Sequence, residues 1–272
     1  MCSALTPKWR LRQVLLTVAL CGETGWNGCG ITRSEWELSQ PLFKMDKSYA
    51  YVALLDVLGY RTFLEQDRQA GTLEFKDRLQ AAMAVLAQVN EGEYPYQAIS
   101  DTIIITCADR SSFVDFCRVI KTVYIAFLKQ GLLVRGGISY AQHFKSGSIT
   151  YSHAVAASYA LESSNAIVPR VMIAADVIDL QASMSVDVVP SGLVVSQNGA
   201  FYLDVIDEIN CSEVYGLAKD LYIREQDSLA GNESGFMKHL WLEYYVSTHR
   251  FAKAAQRKRY VKVAAPVTTK GD

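Results

Sequence analysis

The chain has 272 residues, half of them hydrophobic, and a formal net charge of −1. That is enough apolar material for one large domain with a full core, plus extensions. A near-neutral balance excludes a global field that would draw the chain to nucleic acid or to a membrane surface. The six cysteines, Cys2, Cys21, Cys29, Cys107, Cys117 and Cys211, have no CxxC or CxxH spacing, which argues against zinc. Cys107 and Cys117 sit in apolar segments and read as core thiols, so a reducing, cytoplasmic compartment is expected.

Residues 1–44 differ from the rest. Basic residues in KWRLR precede a nine-residue apolar run, Val14 to Gly22. The run imitates a short signal peptide but is too short to span a bilayer. No small-x-small cleavage site follows, and Leu20 before Cys21 departs from a lipoprotein box. The stretch GWNGCGITRSEWELSQPLFK has no period, and a strong strand begins only after Met45. Met45 is the expected natural start, with 1–44 an overextended reading frame or an unordered extension.

From there the elements follow in order. Tyr49 to Leu55 is a short run rich in Tyr, Val and Leu and reads as a buried strand. Gly59 breaks it, and a helix follows from Tyr60 to Arg68. A second helix starts near Thr72, its apolar face marked by Leu79, Ala82, Met83, Leu86 and Val89. Glu93 to Thr106 reads as a hairpin bent at Ser100-Asp101. Ser112 with Asp115 resembles a capping box. Phe116, Val119, Ile120, Val123 and Phe127 then give a helix face that Gly131 stops. LLVRGGISY is a strand whose Gly136-Gly137 pair signals a bulge or a close approach. HFKSGSITYS reads as a loop with a short strand, Ser152 to Ser163 as a helix, and VPRVMIA as a strand. LVVSQNGAFYLDVI is a hairpin turning at Asn198-Gly199. A long C-terminal helix carries Phe236, Leu240, Tyr244 and Val246. The order is not a strict strand–helix alternation, so a doubly wound parallel sheet is disfavoured. An α+β, ferredoxin-like βαββαβ sheet is expected.

Chemistry concentrates on two aspartates, Asp56 in AYVALLDVLGY and Asp101 in YQAISDTIIIT. Each ends or interrupts a strand, where a carboxylate is costly unless compensated. In a ferredoxin-like sheet the two strands are neighbours, so both carboxylates reach one edge. Two such groups form a site for magnesium or manganese, with the Val57 carbonyl as a further oxygen ligand. The turn from Val57 to Tyr60 opens a helix, whose N–H groups suit phosphate. The pair fits a two-metal attack of a hydroxyl on phosphorus. Each aspartate alone also reads as a cap on the element after it.

LLDVLGY, ISDTIII, LLVRGGIS and SHAVAASYALESSNAIVPRV together resemble the catalytic domain of class III nucleotidyl cyclases, from about Tyr49 to Ala174. The match is with the pyrimidine cyclase branch of the bacterial Pycsar antiphage systems, and VSQNGAFYLDVI is similar to a hairpin that follows the core in that branch. The resemblance implies a catalytic domain over 45–210 and a C-terminal helical extension over 211–272. It implies that Asp56, Asp101 and the Val57 carbonyl hold two Mn2+ or Mg2+ ions. The 3′-hydroxyl of UTP, or of CTP, would attack the α-phosphorus and yield a 3′,5′-cyclic monophosphate and pyrophosphate. A homodimer, a separate effector that senses the product, and no nucleic-acid or membrane partner go with it.

In purine cyclases a lysine four residues before the second aspartate reads the base. Gln97 stands there, and its amide both donates and accepts, as a pyrimidine edge needs. Tyr60 is placed to pack on ribose or base, though an aromatic there also reads as core. The family's asparagine and arginine correspond to Ala156 and Ala160. Arg135 is the nearest spare cation and suits phosphate oxygens, with pairing to Glu162 as its other reading. Arg170, His143 and Lys145 carry weaker versions of the same choice. The basic run from Arg250 to Lys262 reads as a solvated helix end or a contact for anionic partners. The rival readings are a cyclase-like domain that binds nucleotide without turning it over, and a nucleotidyl transferase on a palm-like sheet.

Overall fold

The computed structural model describes residues 48–146, 149–189 and 191–263. The readings made for residues 1–44 lie outside them. The chain divides into two units, 1–47 and 48–272, and the described residues belong to the second.

Strand β1 (Tyr49–Val57) lies inside the sheet, between two other strands. Ala50 through Leu55 are each at most 4% exposed, as expected of a strand covered on both faces and rich in β-branched, aromatic and leucine side chains. β1 runs antiparallel to β3 (Thr102–Cys107) on one side and to β4 (Val134–Ser146) on the other. β2 (Tyr96–Ile99) forms the edge beyond β3. The order β2-β3-β1-β4 is that of a ferredoxin-like βαββαβ unit. β6 (Val171–Ile173) joins β4 in parallel, and the hairpin β7 (Val194–Gln197) and β8 (Ala200–Leu203) completes the path. The fold is α+β.

Helices α1 (Tyr60–Ala70), α2 (Glu74–Met83) and α3 (Phe113–Lys129) follow β1 and β3. α3 buries Phe116, Ile120, Val123 and Phe127 completely, and Tyr51 packs on Phe113 and Phe116. Its start is not the expected capping box. The Ser112 hydroxyl donates to Asp109, and Asp109 caps a short 3-10 turn by accepting from the Ser111 N–H. Asp109 competes successfully because one carboxylate accepts from several donors at once.

The other face of β1 and β4 carries α4 (His153–Asn165), capped by Ser152 accepting from the Val155 N–H. Glycine makes this contact possible. A Cβ at Gly137 would lie 2.4 Å from the Ser158 carbonyl oxygen, and one at Gly136 2.5 Å from that of Leu54. The close approach expected of this glycine pair is therefore backbone on backbone. Ser158 donates to the Val52 carbonyl at 2.8 Å and Ser139 to that of Ala154 at 2.8 Å.

Three elements differ from expectation. The segment expected as a loop at His143–Ser146 continues β4 and pairs with β5 (Ile149–Ser152). α5 (Ala175–Ser183) stands where no helix was expected. The expected C-terminal helix is α7 (Glu233–Thr248), but another helix not expected, α6 (Cys211–Glu225), precedes it, and Tyr244, expected on the apolar face, is 48% exposed. The basic run after Arg250 is made of turns, not helix.

The end of α7 is pinned to the end of β8 by a buried polar group. Tyr245 donates to Asp204 Oδ1 at 2.6 Å and accepts from the Val205 N–H, while His249 Nε2 meets Asp204 Oδ2 at 3.0 Å. Burial and the Asp204 charge push the Tyr245 phenol well above its usual range, so it stays a donor. Tyr245→Phe removes this hydroxyl and leaves two buried groups one partner short. The expected loss is about 1–3 kcal/mol, read as a lower urea midpoint with unchanged slope.

Candidate active site

The strand register brings the two aspartates to one end of the sheet. On β1, Asp56 stands opposite Thr102 of β3 and Arg135 of β4. One residue along, the Val57 N–H donates to the Asp101 carbonyl at 3.0 Å. Asp101 thus sits at the tip of the β2–β3 hairpin, next to the end of β1. Ser100 before it has φ +59°, left-handed for a residue with a side chain. Such a conformation costs about 1 kcal/mol or more and collects at functional turns.

Asp56 is not isolated. Arg135 Nε and Nη2 contact its Oδ2 at 3.4 and 3.3 Å, and Nη2 meets Glu162 Oε1 on α4 at 2.6 Å. The side chains are 13% (Asp56), 24% (Arg135) and 4% (Glu162) exposed. The Arg135–Glu162 pairing weighed from the sequence is therefore present, alongside a contact with Asp56. Arg135 thus stands between two carboxylates, one from β1 and one from α4. Lys238 of α7 shares the field. Burial and the Arg135 charge push its ammonium below the usual lysine range, while Asp56 pulls it back. Sequence reasoning missed Lys238, because nothing local ties a lysine on the last helix to the first strand.

The face of the sheet that carries Asp56 is partly open. Paired residues share a face, so Asp56, Thr102 and Ile99 lie together, as do Leu54, Ile104 and Gln97 two residues on. Gln97 is exposed and Ile99 is 58% exposed, whereas Ile103 and Ile105, on the opposite face, are buried. Gln97 therefore stands on the same open face as Asp56, two strands away. The Tyr60 ring meets Phe75 edge-on at 5.4 Å and is half-buried against the core. The alanines Ala156 and Ala160 are exposed on α4.

The turn after Asp56 offers fewer N–H groups than its sequence implies. Val57 donates to Asp101 and Leu58 to the Leu133 carbonyl at 2.8 Å. The first turn of α1, beginning at Tyr60 after Gly59 (φ +83°), retains the unpaired N–H groups that every helix start has. His143 bonds Ser152, and Arg170 bonds the Asn165 carbonyl and lies over the Tyr202 ring, so both have local partners. Lys145 is exposed on β4.

Two carboxylates and the Val57 carbonyl are hard oxygen donors, the set that suits magnesium or manganese. Among the described residues no group of three or more His, Cys, Asp or Glu side chains gathers as a metal cage. The donor set fits an ion that takes one or two protein carboxylates and completes its shell with water or phosphate. Arg135 is held by Glu162 as well as by Asp56, so its position does not depend on Asp56 alone.

No protein-family model matches this chain, and no curated protein matches it. Several solved structures are similar to part of it. The adenylyl cyclase CyaB from P. aeruginosa aligns with a TM-score of 0.38 and 15% identity, covering 58% of this chain and 94% of that one. A bacterial light-regulated adenylyl cyclase aligns at 0.41 and 13%, covering 64% and 98%. A class III adenylyl cyclase-like ATP-binding protein from Pseudomonas aeruginosa aligns at 0.39 and 13%, covering 63% and 43%. Among the described residues no helix is long and apolar enough to cross a membrane.

Proposed function

We propose that this chain is a nucleotide cyclase that converts a pyrimidine nucleoside triphosphate, UTP before CTP, to its 3′,5′-cyclic monophosphate. The observation that carries the reading is the register: Asp56 at the end of β1 and Asp101 in the turn before β3 lie at one end of the sheet, joined through the Val57 N–H and the Asp101 carbonyl. Asp56, Asp101 and the Val57 carbonyl would hold two Mn2+ or Mg2+ ions, which when bound lower the pKa of the attacking hydroxyl and neutralise charge at phosphorus. The chain's own residues do the rest. The α1 N-terminus favours the phosphates. Arg135, kept in place by Glu162, presents a fixed cation beside Asp56. Gln97, on the open face, offers an amide to the base. The open β2–β3 edge leaves ribose and base uncovered, which supports a homodimer that closes the site. With that goes a diffusible second messenger read by a separate effector in antiphage defence.

Incubation with each of ATP, GTP, CTP and UTP plus manganese, followed by product mass, tests the reading. A cyclic pyrimidine monophosphate from one tube is the expected result, and linear or no product from all four would end it. Gln97→Ala should shift the ratio of the four rates more than the best rate, because the side chain is exposed and supports no packing. A uniform fall across all four would remove Gln97 from base recognition.

A second reading, nucleotide binding without turnover, is favoured by one observation: Ala156 and Ala160 are exposed on α4 and supply no group to a transition state. Tight, metal-dependent triphosphate binding with no product would select it.

A further inference from the structure

At the β7 edge of the sheet a cleft of about 400 Å³ opens between the β7–β8 hairpin and the last turns of α7. Its size falls within the range of small-molecule sites. One side is aromatic. Trp241 and Tyr245 stack with centroids 5.1 Å apart and planes 14° apart, and Tyr202 meets both rings edge-on at 6.1 Å. The hydrogen-bonding groups around it are mostly neutral: Ser196 and Gln197 from the edge strand and Thr248 from α7. The one acid, Asp204, is 5% exposed and already accepts from Tyr245, His249 and the Ile206 N–H. His249 has both ring nitrogens engaged, the second accepting from the Phe251 N–H, so the Asp–His pair activates no nucleophile here.

Arg250 gives the cleft its charge. No carboxylate pairs with it among the described residues, and its Cζ lies 4.8 Å from the Phe251 ring centroid. The guanidinium is seated in a notch left by Gly192. A Cβ there would fall 1.8 Å from Arg250 Nη2, and φ at Gly192 is +77°. An exposed arginine with no carboxylate partner among the described residues, at the rim of a cleft with an aromatic wall, is complementary to a molecule that joins a flat ring to one anionic group.

We infer that this cleft binds a planar heterocycle bearing one anionic group, the chemistry of a nucleoside monophosphate or its cyclic ester, at a site separate from Asp56 and Asp101. The inference stands without the cyclase reading. Where that reading holds, the reaction product belongs to the class bound, and the cleft becomes a place for product to act on the enzyme.

Titration of the full chain by calorimetry, in EDTA to keep the carboxylate site metal-free, tests this with 3′,5′-cyclic UMP, uridine and inorganic phosphate as probes. The cyclic nucleotide should bind one per chain, uridine about tenfold more weakly, and phosphate not measurably. Arg250→Gln should weaken the nucleotide about tenfold and leave uridine unchanged. Gln197→Ala, on the exposed edge strand, is a second variant expected to weaken both. Asp56→Asn should change none of these values. The nucleotide-dependent part of the tryptophan fluorescence should vanish in Trp241→Phe. Equal affinity of wild type and Arg250→Gln, loss of binding in Asp56→Asn, or no heat at millimolar nucleotide would each overturn the proposal. Absence of cyclase turnover would leave it standing.

Discussion

Asp101→Ala should cut cyclase turnover about 1000-fold or more while the thermal midpoint stays within about 2 °C of wild type. The two halves of this expectation rest on different atoms. The hairpin tip is tied to β1 through the Asp101 main-chain carbonyl, which accepts from the Val57 N–H. Substitution of the side chain leaves that bond in place, and the side chain is only half-buried. The fold therefore loses little, and removing one of several like charges offsets part of that loss. On the proposed reading, catalysis would lose a ligand to ions whose charge neutralisation is worth several kcal/mol, and about 4 kcal/mol corresponds to 1000-fold. Product mass and thermal melting on the same sample separate the two. Wild-type turnover in this variant would dismiss the metal assignment. Asp56→Ala makes an informative contrast. It removes a partner of Arg135 as well, so it should cost stability in addition to rate.

Gly137→Ala should destabilise the chain by about 3 kcal/mol, a large effect for one methyl group. The added carbon would stand 2.4 Å from the Ser158 carbonyl oxygen and 2.7 Å from Leu161 Cβ. The first obstacle is helix backbone, which does not rotate aside. α4 must lift from the sheet, which strains the Ser158–Val52 and Ser139–Ala154 hydrogen bonds and loosens the packing beneath. Gly199→Ala is the control. Its φ is +72° with nothing within 4 Å of the added carbon, so only the conformational term remains, about 1 kcal/mol. Urea unfolding of both variants decides the matter. Equal midpoints would mean that the helix–sheet approach is looser than the geometry describes. Because Glu162 lies on the same helix, Gly137→Ala should also disturb the Arg135 pair and lower activity before it unfolds the chain.

The central sheet was legible because its signals are local. The apolar run at Tyr49–Leu55, the bend at Ser100-Asp101 and the Asn198-Gly199 turn each encode their geometry within a few residues, and the βαββαβ order follows from them. The glycine pair announced a close approach without saying to what. α6 was missed although Val214, Ala218, Leu221 and Tyr222 repeat at helical spacing, because charged residues and Gly216 interrupt the run. The start of α3 was misread because Ser112 has two options and the preceding Asp109 takes its hydroxyl. At the site, the sequence identified Asp56, Asp101, Gln97 and Arg135 as candidates. Only three-dimensional pairing could reveal that Arg135 reaches Asp56 as well as Glu162, that Tyr60 turns its ring to Phe75, and that Lys238 enters the same field.

Gln97 and Ile99 lie on a border strand, with side chains that the interior does not require. Mutations there escape the purge that falls on buried positions, so a lineage can drift at 97 and 99 without risking collapse. Asp56 is different, lodged between two strands and an arginine. Descendants of such a chain would inherit the acidic end nearly intact while the outer strand diversifies.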